Sequence, residues 1–100
     1  MFFVEDMKCL DRRYFEVFSA GPYEVSIMSR NTGHYWVIKS VEYPNRTVCI
    51  ILHKHRFNQN YHHHKIMPSL RKAVGCIRRH DEFQLNGRRP VRRNRLEKTA

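Results

Sequence analysis

Acidic residues are absent from a long central stretch of this chain. No aspartate or glutamate occurs between Glu42 and Asp81, although the 100 residues include seven histidines and 19 lysines and arginines. Zinc hydrolases commonly use a carboxylate as the catalytic base. This counts against a zinc hydrolase, and the sequence contains no Gly-rich phosphate loop, nucleophile elbow or zinc-finger spacing. We therefore expect a protein that is not an enzyme and that needs no cofactor. Where acids return, Asp81 or Glu82 is expected to offset a neighbouring arginine on a helix surface.

Cysteines and long apolar segments are also scarce. The three cysteines, Cys9, Cys49 and Cys76, match neither a disulfide framework nor a paired zinc spacing. No segment approaches the ~20 apolar residues of a membrane span. Glu5 and Asp6 interrupt the short apolar start, so no signal peptide is expected. These absences predict a cytoplasmic protein that makes no membrane contact.

Positive charge is concentrated at the C-terminal end. Residues 88–100 contain six basic residues against one acidic residue, which is half of the net charge of +10. Such blocks usually repel themselves into disorder and bind polyanions. We predict a single domain over residues 1–87, the size at which one core is sufficient, followed by a flexible basic tail over residues 88–100. A merely solubilising tail is the alternative.

Four segments have the composition of β-strands. They are residues 14–20, 23–30, 34–43 and 47–52. Apolar and polar residues alternate in the second segment, as in a half-buried strand. Gly21-Pro22, Asn31-Thr32-Gly33 and Pro44-Asn45 separate the segments and are typical of turns. Strands joined by such short turns predict an antiparallel meander.

One amphipathic helix is expected after Pro68. Its apolar positions are Leu70, Ala73, Val74 and Ile77. They recur at helical spacing, and we expect the helix to end near Phe83, with Asn86-Gly87 as the stop signal. The polar residues 56–65 predict a surface loop, and residues 1–12 predict a short edge strand or a loose arm. The fold class is therefore α+β, with four or five antiparallel strands covered on one face by a C-terminal helix.

Histidines are concentrated in one part of the chain, between positions 53 and 64. The candidate metal ligands there are His53, His55, His62, His63 and His64. The first two are two residues apart, so on a strand they point to the same face, as two ligands could. The same side chains could act as general acid and base on a phosphodiester, with Lys54 or Arg56 stabilising the developing charge. Without a nearby acid, we favour a third interpretation, a solvated polar segment, and predict no metal site.

Basic residues favour binding over catalysis. The predicted phosphate-binding residues are Lys54, Arg56, Lys65, Arg71, Lys72, Arg78, Arg79, Arg88, Arg89, Arg92, Arg93 and Arg95. We expect them to form one continuous positive surface that attracts phosphates through counterion release. Tyr35, Tyr43, Phe57 and Tyr61 are aromatic residues that could stack on unpaired bases. The leading hypothesis is a non-catalytic nucleic-acid-binding protein, with RNA and DNA both open.

Two short motifs stand out from the rest of the chain. They are SRNTGHYW at residues 29–36 and HDEFQL at residues 80–85. With the histidine-rich segment between them, they resemble small uncharacterised accessory proteins of conjugative and other mobile elements of Firmicutes. The resemblance implies a bacterial accessory protein and brings no catalytic residue with it. It also opens a second hypothesis, a regulator or inhibitor that binds another protein.

Overall fold

Five β-strands and one α-helix make up residues 1–88, the part of the chain that the computed structural model describes. The strands are β1 (Phe15–Ala20), β2 (Glu24–Ser29), β3 (Tyr35–Tyr43), β4 (Arg46–Lys54) and β5 (His62–Met67), and α1 (Leu70–Leu85) follows them. Each strand pairs antiparallel with its neighbour in sequence, so the sheet is an open meander. The predicted α+β class and topology are confirmed. The predicted basic tail lies, from residue 89 onward, outside the described residues.

The histidine-rich segment forms the fifth strand. The loop predicted for residues 56–65 is wrong from His62 onward, because β5 begins there and pairs with β4. β5 is an edge strand of the sheet, and edge strands tolerate charged and polar side chains because one side of the strand meets water. The polarity that suggested a loop is therefore compatible with a strand at this position.

Two bulges each insert one residue into an edge strand. A register shift in the β1–β2 ladder leaves Phe18 without a partner on β2. A second shift, in the β4–β5 ladder, leaves His64 without a partner on β4. Bulges redirect the side chain of the extra residue and often occur beside functional sites. Both residues belong to side-chain groups described below.

Helix α1 covers one face of the sheet. Its N-terminus is capped by Ser69, whose Oγ accepts a hydrogen bond from the Lys72 N–H at 3.1 Å. The four predicted apolar positions are all buried, together with Cys76 and Asp81. The helix ends at Leu85, and Gly87 follows with a φ of +67°, the left-handed conformation common after a helix. No helix among residues 1–88 is long and apolar enough to cross a membrane.

The core lies between α1 and the sheet. The buried strand residues in the core cluster are Phe15, Val25, Ile27, Trp36, Ile38, Cys49 and Ile51. The N-terminal segment adds a 3₁₀ helix (Val4–Cys9) that contacts α1, so it is neither an edge strand nor a loose arm. Phe2 and Leu10 flank this helix and are buried in the same core. The Phe2 N–H donates to the Pro22 carbonyl at 2.6 Å, which ties the segment to the sheet.

Candidate functional site

The two faces of the sheet present different chemistry. Side chains alternate along a strand, so two neighbouring cross-strand pairs point in opposite directions. Trp36 and His53 form one pair and lie on the face that α1 covers. Tyr35 and Lys54 form the next pair and lie on the other face, which we call the open face. Each face therefore has to be considered as a separate candidate site.

Six of the seven histidines gather on the helix side. We call them the histidine cluster: His34, His53, His55, His62, His64 and His80. They come from the loop before β3, from β4 and the residue after it, from β5 and from α1. The ring of His53 lies near the middle, with its centroid 4.8 Å from that of His80 and 5.2 Å from that of His62. Parts of the chain that are far apart in sequence thus converge on one group of imidazoles.

The centre of the cluster consists of His34, His53 and His80. Each offers one ring nitrogen, and these nitrogens lie within 4.8 Å of one another. His53 Nε2 and His34 Nδ1 are 3.1 Å apart and share a hydrogen bond. His80 Nδ1 is buried and has no hydrogen-bond partner among the described residues. Sequence reasoning predicted His53 as a possible ligand but missed His34 and His80, although each belongs to one of the two motifs that carry the resemblance.

The other predicted ligands surround this centre, with one exception. The ring of His55 stacks on that of His34, with centroids 4.3 Å apart and planes 10° apart. His64, the bulge residue of β5, has its ring centroid 5.0 Å from that of His80. His63 pairs with Leu52, which is the neighbour of His53 on β4. Because side chains alternate along a strand, Leu52 and His63 lie on the open face. It is the one histidine outside the cluster.

Two buried side chains hold the ring of His53 in place. The indole of Trp36 stacks on this ring, and Nε1 of the indole donates to Ser29 Oγ at 3.1 Å. His53 itself is only 1% exposed. Because the indole is anchored by its hydrogen bond, the plane of the imidazole against it is restricted.

A buried carboxylate borders the cluster. Asp81 accepts hydrogen bonds from the Tyr14 hydroxyl at 2.6 Å and from Thr32 Oγ1 at 3.0 Å. Thr32 Oγ1 in turn accepts from the His34 backbone N–H at 3.3 Å. The side chain of Asp81 is fully buried, so of the two acids expected to offset an arginine on the helix surface, Asp81 does not lie there and Glu82 does. The Asp81 carboxylate instead orients the loop that carries His34.

Burial keeps four imidazoles of the cluster neutral. Burial, followed by the charge that neighbouring His80 would carry, lowers the pKa of His53 to about 2. Burial and the proximity of His64 lower the pKa of His80 to about 4. Burial also lowers the pKa of His34 and of His64. At neutral pH these rings are therefore uncharged, and each has one unprotonated nitrogen, which can accept a hydrogen bond or a metal ion.

The open face carries a group of aromatic rings around one lysine. We call Phe18, Tyr35, Phe57 and Tyr61, together with Lys54, the aromatic patch. Phe18 and Tyr35 stack at a centroid distance of 6.0 Å and an angle of 17°. Lys54 Nζ lies 5.3 Å from the ring centres of Tyr35 and Phe57 and 4.5 Å from that of Tyr61. Phe18 is 51% and Phe57 79% exposed, so two of the rings are available to a ligand.

Three of the four aromatic residues that the sequence suggested belong to this patch. The fourth, Tyr43, is half-exposed at the far end of β3. Phe18 was missed because its segment reads simply as a strand. The bulge at Phe18 places its ring against Tyr35, and no sequence pattern predicts this bulge.

The predicted basic residues are divided between the two faces. Lys54 lies on the open face, whereas Arg71, Lys72 and Arg79 are exposed on α1 and line a groove beside Met67 on the helix side. These groups therefore do not form one continuous surface. The remaining predicted residues lie as follows: Lys65 is exposed on the helix side of β5, Arg56 is exposed in the loop after β4, Arg78 covers the Tyr14 ring at 4.3 Å, and Arg88 is exposed after α1.

The other predicted phosphate contacts, Arg89, Arg92, Arg93 and Arg95, lie outside the described residues.

A scan of protein-family models, a search of curated proteins and a search of solved structures each returned no match for this chain. The resemblance to accessory proteins of mobile elements therefore stays a prediction.

Proposed function

We propose that the protein binds single-stranded nucleic acid on the open face of its sheet, without catalysing a reaction. The observation that supports this most directly is the position of Lys54 among the rings of Tyr35, Phe57 and Tyr61. Bases stack on exposed rings with about 1–3 kcal/mol per base, largely independently of sequence. An ammonium group beside the rings is placed to contact the phosphate of a stacked nucleotide.

Charge supports the same proposal. The protein has a net charge of +10, which attracts polyanions over distances of about a Debye length. Lys54 makes no ion pair with any described residue, whereas Lys39 on the same face pairs with Glu24 at 3.7 Å. Lys54 Nζ donates one hydrogen bond, to the Phe57 carbonyl at 2.9 Å, and its remaining N–H groups can exchange counterions for a phosphate.

Single strands fit this surface better than duplexes. Bases in a duplex are stacked on each other and present only their edges, whereas unpaired bases can splay onto aromatic side chains. The exposed rings of Phe18 and Phe57 both lie next to Tyr35, with centroids 6.0 Å and 6.2 Å from that of its ring. The basic groove of α1, with Arg71, Lys72 and Arg79, has no exposed aromatic residue and would suit phosphates alone.

The test is fluorescence anisotropy with labelled DNA and RNA single strands of about six nucleotides, with matched duplexes, and the full chain. Phe18→Ala and Phe57→Ala each remove an exposed ring and are expected to weaken single-strand binding by about 1–3 kcal/mol. Tyr43→Ala is the matched control, because Tyr43 is a half-exposed aromatic residue on the same face outside the patch. It is expected to leave the affinity unchanged.

A second variant separates the body of the protein from its basic tail. Arg89, Arg92, Arg93 and Arg95 are all replaced by Gln in the otherwise full chain. Binding that persists in this variant and falls in Phe18→Ala supports the proposal. Binding that is lost with the tail arginines and unaffected by both ring substitutions contradicts it. The open face would then be tested for protein partners, whose contacts depend little on salt.

A further inference from the structure

We propose that His34, His53 and His80 bind one divalent transition-metal ion of the zinc type. One ring nitrogen from each residue already lies within 4.8 Å of the others. The three residues belong to the β2–β3 loop, to β4 and to α1, so the ion would join the sheet to the helix. The inference does not depend on the proposed nucleic-acid binding, because the cluster lies on the opposite side of the sheet. It departs from the sequence-based expectation that the protein has no metal site.

The distances are close to those of a bound ion. Zinc–nitrogen bonds of about 2.1 Å in a tetrahedron place the ligand nitrogens about 3.4 Å apart. The nitrogens of His34 and His53, 3.1 Å apart, already approach this separation. The widest separation in the group has to shrink by roughly 1–1.5 Å, which a rotation of the partly exposed His34 or His80 ring can supply.

An unpartnered nitrogen independently points to a ligand. His80 Nδ1 is buried and makes no hydrogen bond with any described residue, and buried polar atoms without partners are uncommon in folded proteins. In the tautomer that carries its proton on Nε2, His80 has a lone pair on Nδ1 that nothing uses. A metal ion in the middle of the cluster would satisfy it.

The surroundings are of the kind that orients metal ligands. The ring of His53 is fixed by the stacked Trp36, and the backbone at His34 is held by Thr32 and, through it, by Asp81. Outer partners that hydrogen-bond a ligand side chain are worth roughly 10–100-fold in metal affinity, and the contacts here restrict the same side chains by packing and through the backbone. The buried carboxylate of Asp81 also provides a negative charge beside an otherwise neutral set of ligands.

The donor atoms determine the class of metal. Three imidazole nitrogens suit Zn²⁺, Ni²⁺, Co²⁺ and Cu²⁺, whereas Mg²⁺ and Ca²⁺ require oxygen ligands. Three protein ligands leave a fourth coordination position for water or an exchangeable group. The group that converges here contains no thiolate or carboxylate among the described residues. We therefore assign the site to a borderline transition metal, with Zn²⁺ as the probe.

The experiment is a titration of the full chain with Zn²⁺ in competition with a chromophoric chelator. We expect one tightly bound ion, and a loss of affinity in His34→Gln and His80→Gln that exceeds the roughly 100-fold cost of losing an outer partner. The matched control is His63→Gln, which removes the one histidine outside the cluster and is expected to leave the affinity unchanged. Wild-type affinity in the folded His34→Gln and His80→Gln proteins would overturn the proposal. So would a loss of binding in His63→Gln.

A second measurement covers the case in which the ligand variants fail to fold. Nitrogen-15 spectra of the wild-type imidazoles are recorded before and after one equivalent of Zn²⁺. Shifts confined to one ring nitrogen each of His34, His53 and His80 support the site. Shifts of the His62 and His63 rings, with those three unchanged, identify surface binding on β5 and contradict it.

Discussion

The indole of Trp36 and the imidazole of His53 stack with their centroids 4.0 Å apart and their planes 21° apart. Both side chains are fully buried. Trp36 is the single tryptophan of the chain, so the intrinsic fluorescence of the protein reports directly on the central histidine of the cluster.

Zn²⁺ is expected to change the emission of Trp36 and to saturate near one equivalent. The reason is that an ion held by His53 would alter the charge and the freedom of the ring against which the indole packs. His80→Gln is expected to abolish the change, whereas His63→Gln should preserve it. A flat fluorescence titration of the wild-type protein, under conditions where the chelator reports bound Zn²⁺, would place the ion elsewhere.

Tyr14→Phe is expected to lower the free energy of unfolding by about 1–3 kcal/mol, because it leaves the buried Asp81 carboxylate short of one donor. The Tyr14 hydroxyl donates to that carboxylate at 2.6 Å. Tyr23→Phe is the control, since Tyr23 is half-exposed and its hydroxyl meets water. Urea unfolding of the two variants tests the difference. Equal unfolding midpoints would show that the hydrogen bond contributes little.

The metal-free protein is expected to lose stability as the pH falls below about 6.5. Burial holds the pKa values of His53 and His80 at about 2 and about 4 in the folded state, below the value of 6.5 of an exposed histidine. The unfolded chain therefore takes up protons in this window that the folded chain does not, so the free energy of unfolding decreases with falling pH. Positive charge on the neighbouring His34, His55 and His64 would lower the pKa values of His53 and His80 further. The Asp81 carboxylate opposes this only in part, at His80.

This pH dependence is measured by urea unfolding with a chelator present, at neutral pH and at about pH 5. His80→Gln removes one of the titrating groups and is expected to flatten the dependence. His63→Gln leaves the cluster intact and should behave as the wild type does. An identical pH dependence in His80→Gln and in the wild type would mean that other groups control acid stability.

Lys54→Gln is expected to reduce the slope of log K against log salt for single-strand binding by about 1, because one phosphate contact is lost. Lys65→Gln is the matched control, as it removes the same charge from the helix side of β5. Anisotropy titrations at several salt concentrations give both slopes. A larger decrease for Lys65 than for Lys54 would indicate that nucleic acid binds the other side of the sheet.

Gly75→Ala is expected to raise the free energy of unfolding by up to about 1 kcal/mol, since Ala favours a helix interior over Gly. A Cβ at this position meets only the end of the Arg79 side chain, at 3.4 Å, and that side chain can move. Thermal or urea unfolding measures the gain. A loss of stability would mean that Arg79 is held more firmly than its exposed position suggests.

The sequence predicted correctly those strands and the helix whose local residue pattern matches their packing in the fold. Turn residues such as Gly21-Pro22 and Pro44-Asn45 separated the first four strands, and the apolar stripe of α1 proved to be its buried side. β5 was missed because its side chains are polar, and an edge position tolerates such residues in a strand. Strand identity there depends on pairing with β4, which no local pattern encodes.

The candidate sites were only partly predictable for the same reason. His53 and His55 could be placed on one face from their spacing alone. His34 and His80 join them through pairing of β3 with β4 and docking of α1, and these are long-range events. The burial of Asp81 likewise follows from how α1 packs against the β2–β3 loop. The sequence did not predict it, because the neighbours of Asp81 in the chain are charged or polar residues that suggest a surface.

The meander also has a consequence for how the chain folds. Every strand pairs with its sequence neighbour, and such local contacts favour fast assembly. His34 and His53 are brought together by a single hairpin, β3–β4, whereas His80 arrives with the helix that follows the whole sheet. The docking of α1 would then be the step that completes the set of three imidazoles. In a refolding experiment, the rate at which the protein becomes able to capture an ion would equal the rate at which its helix closes over the sheet.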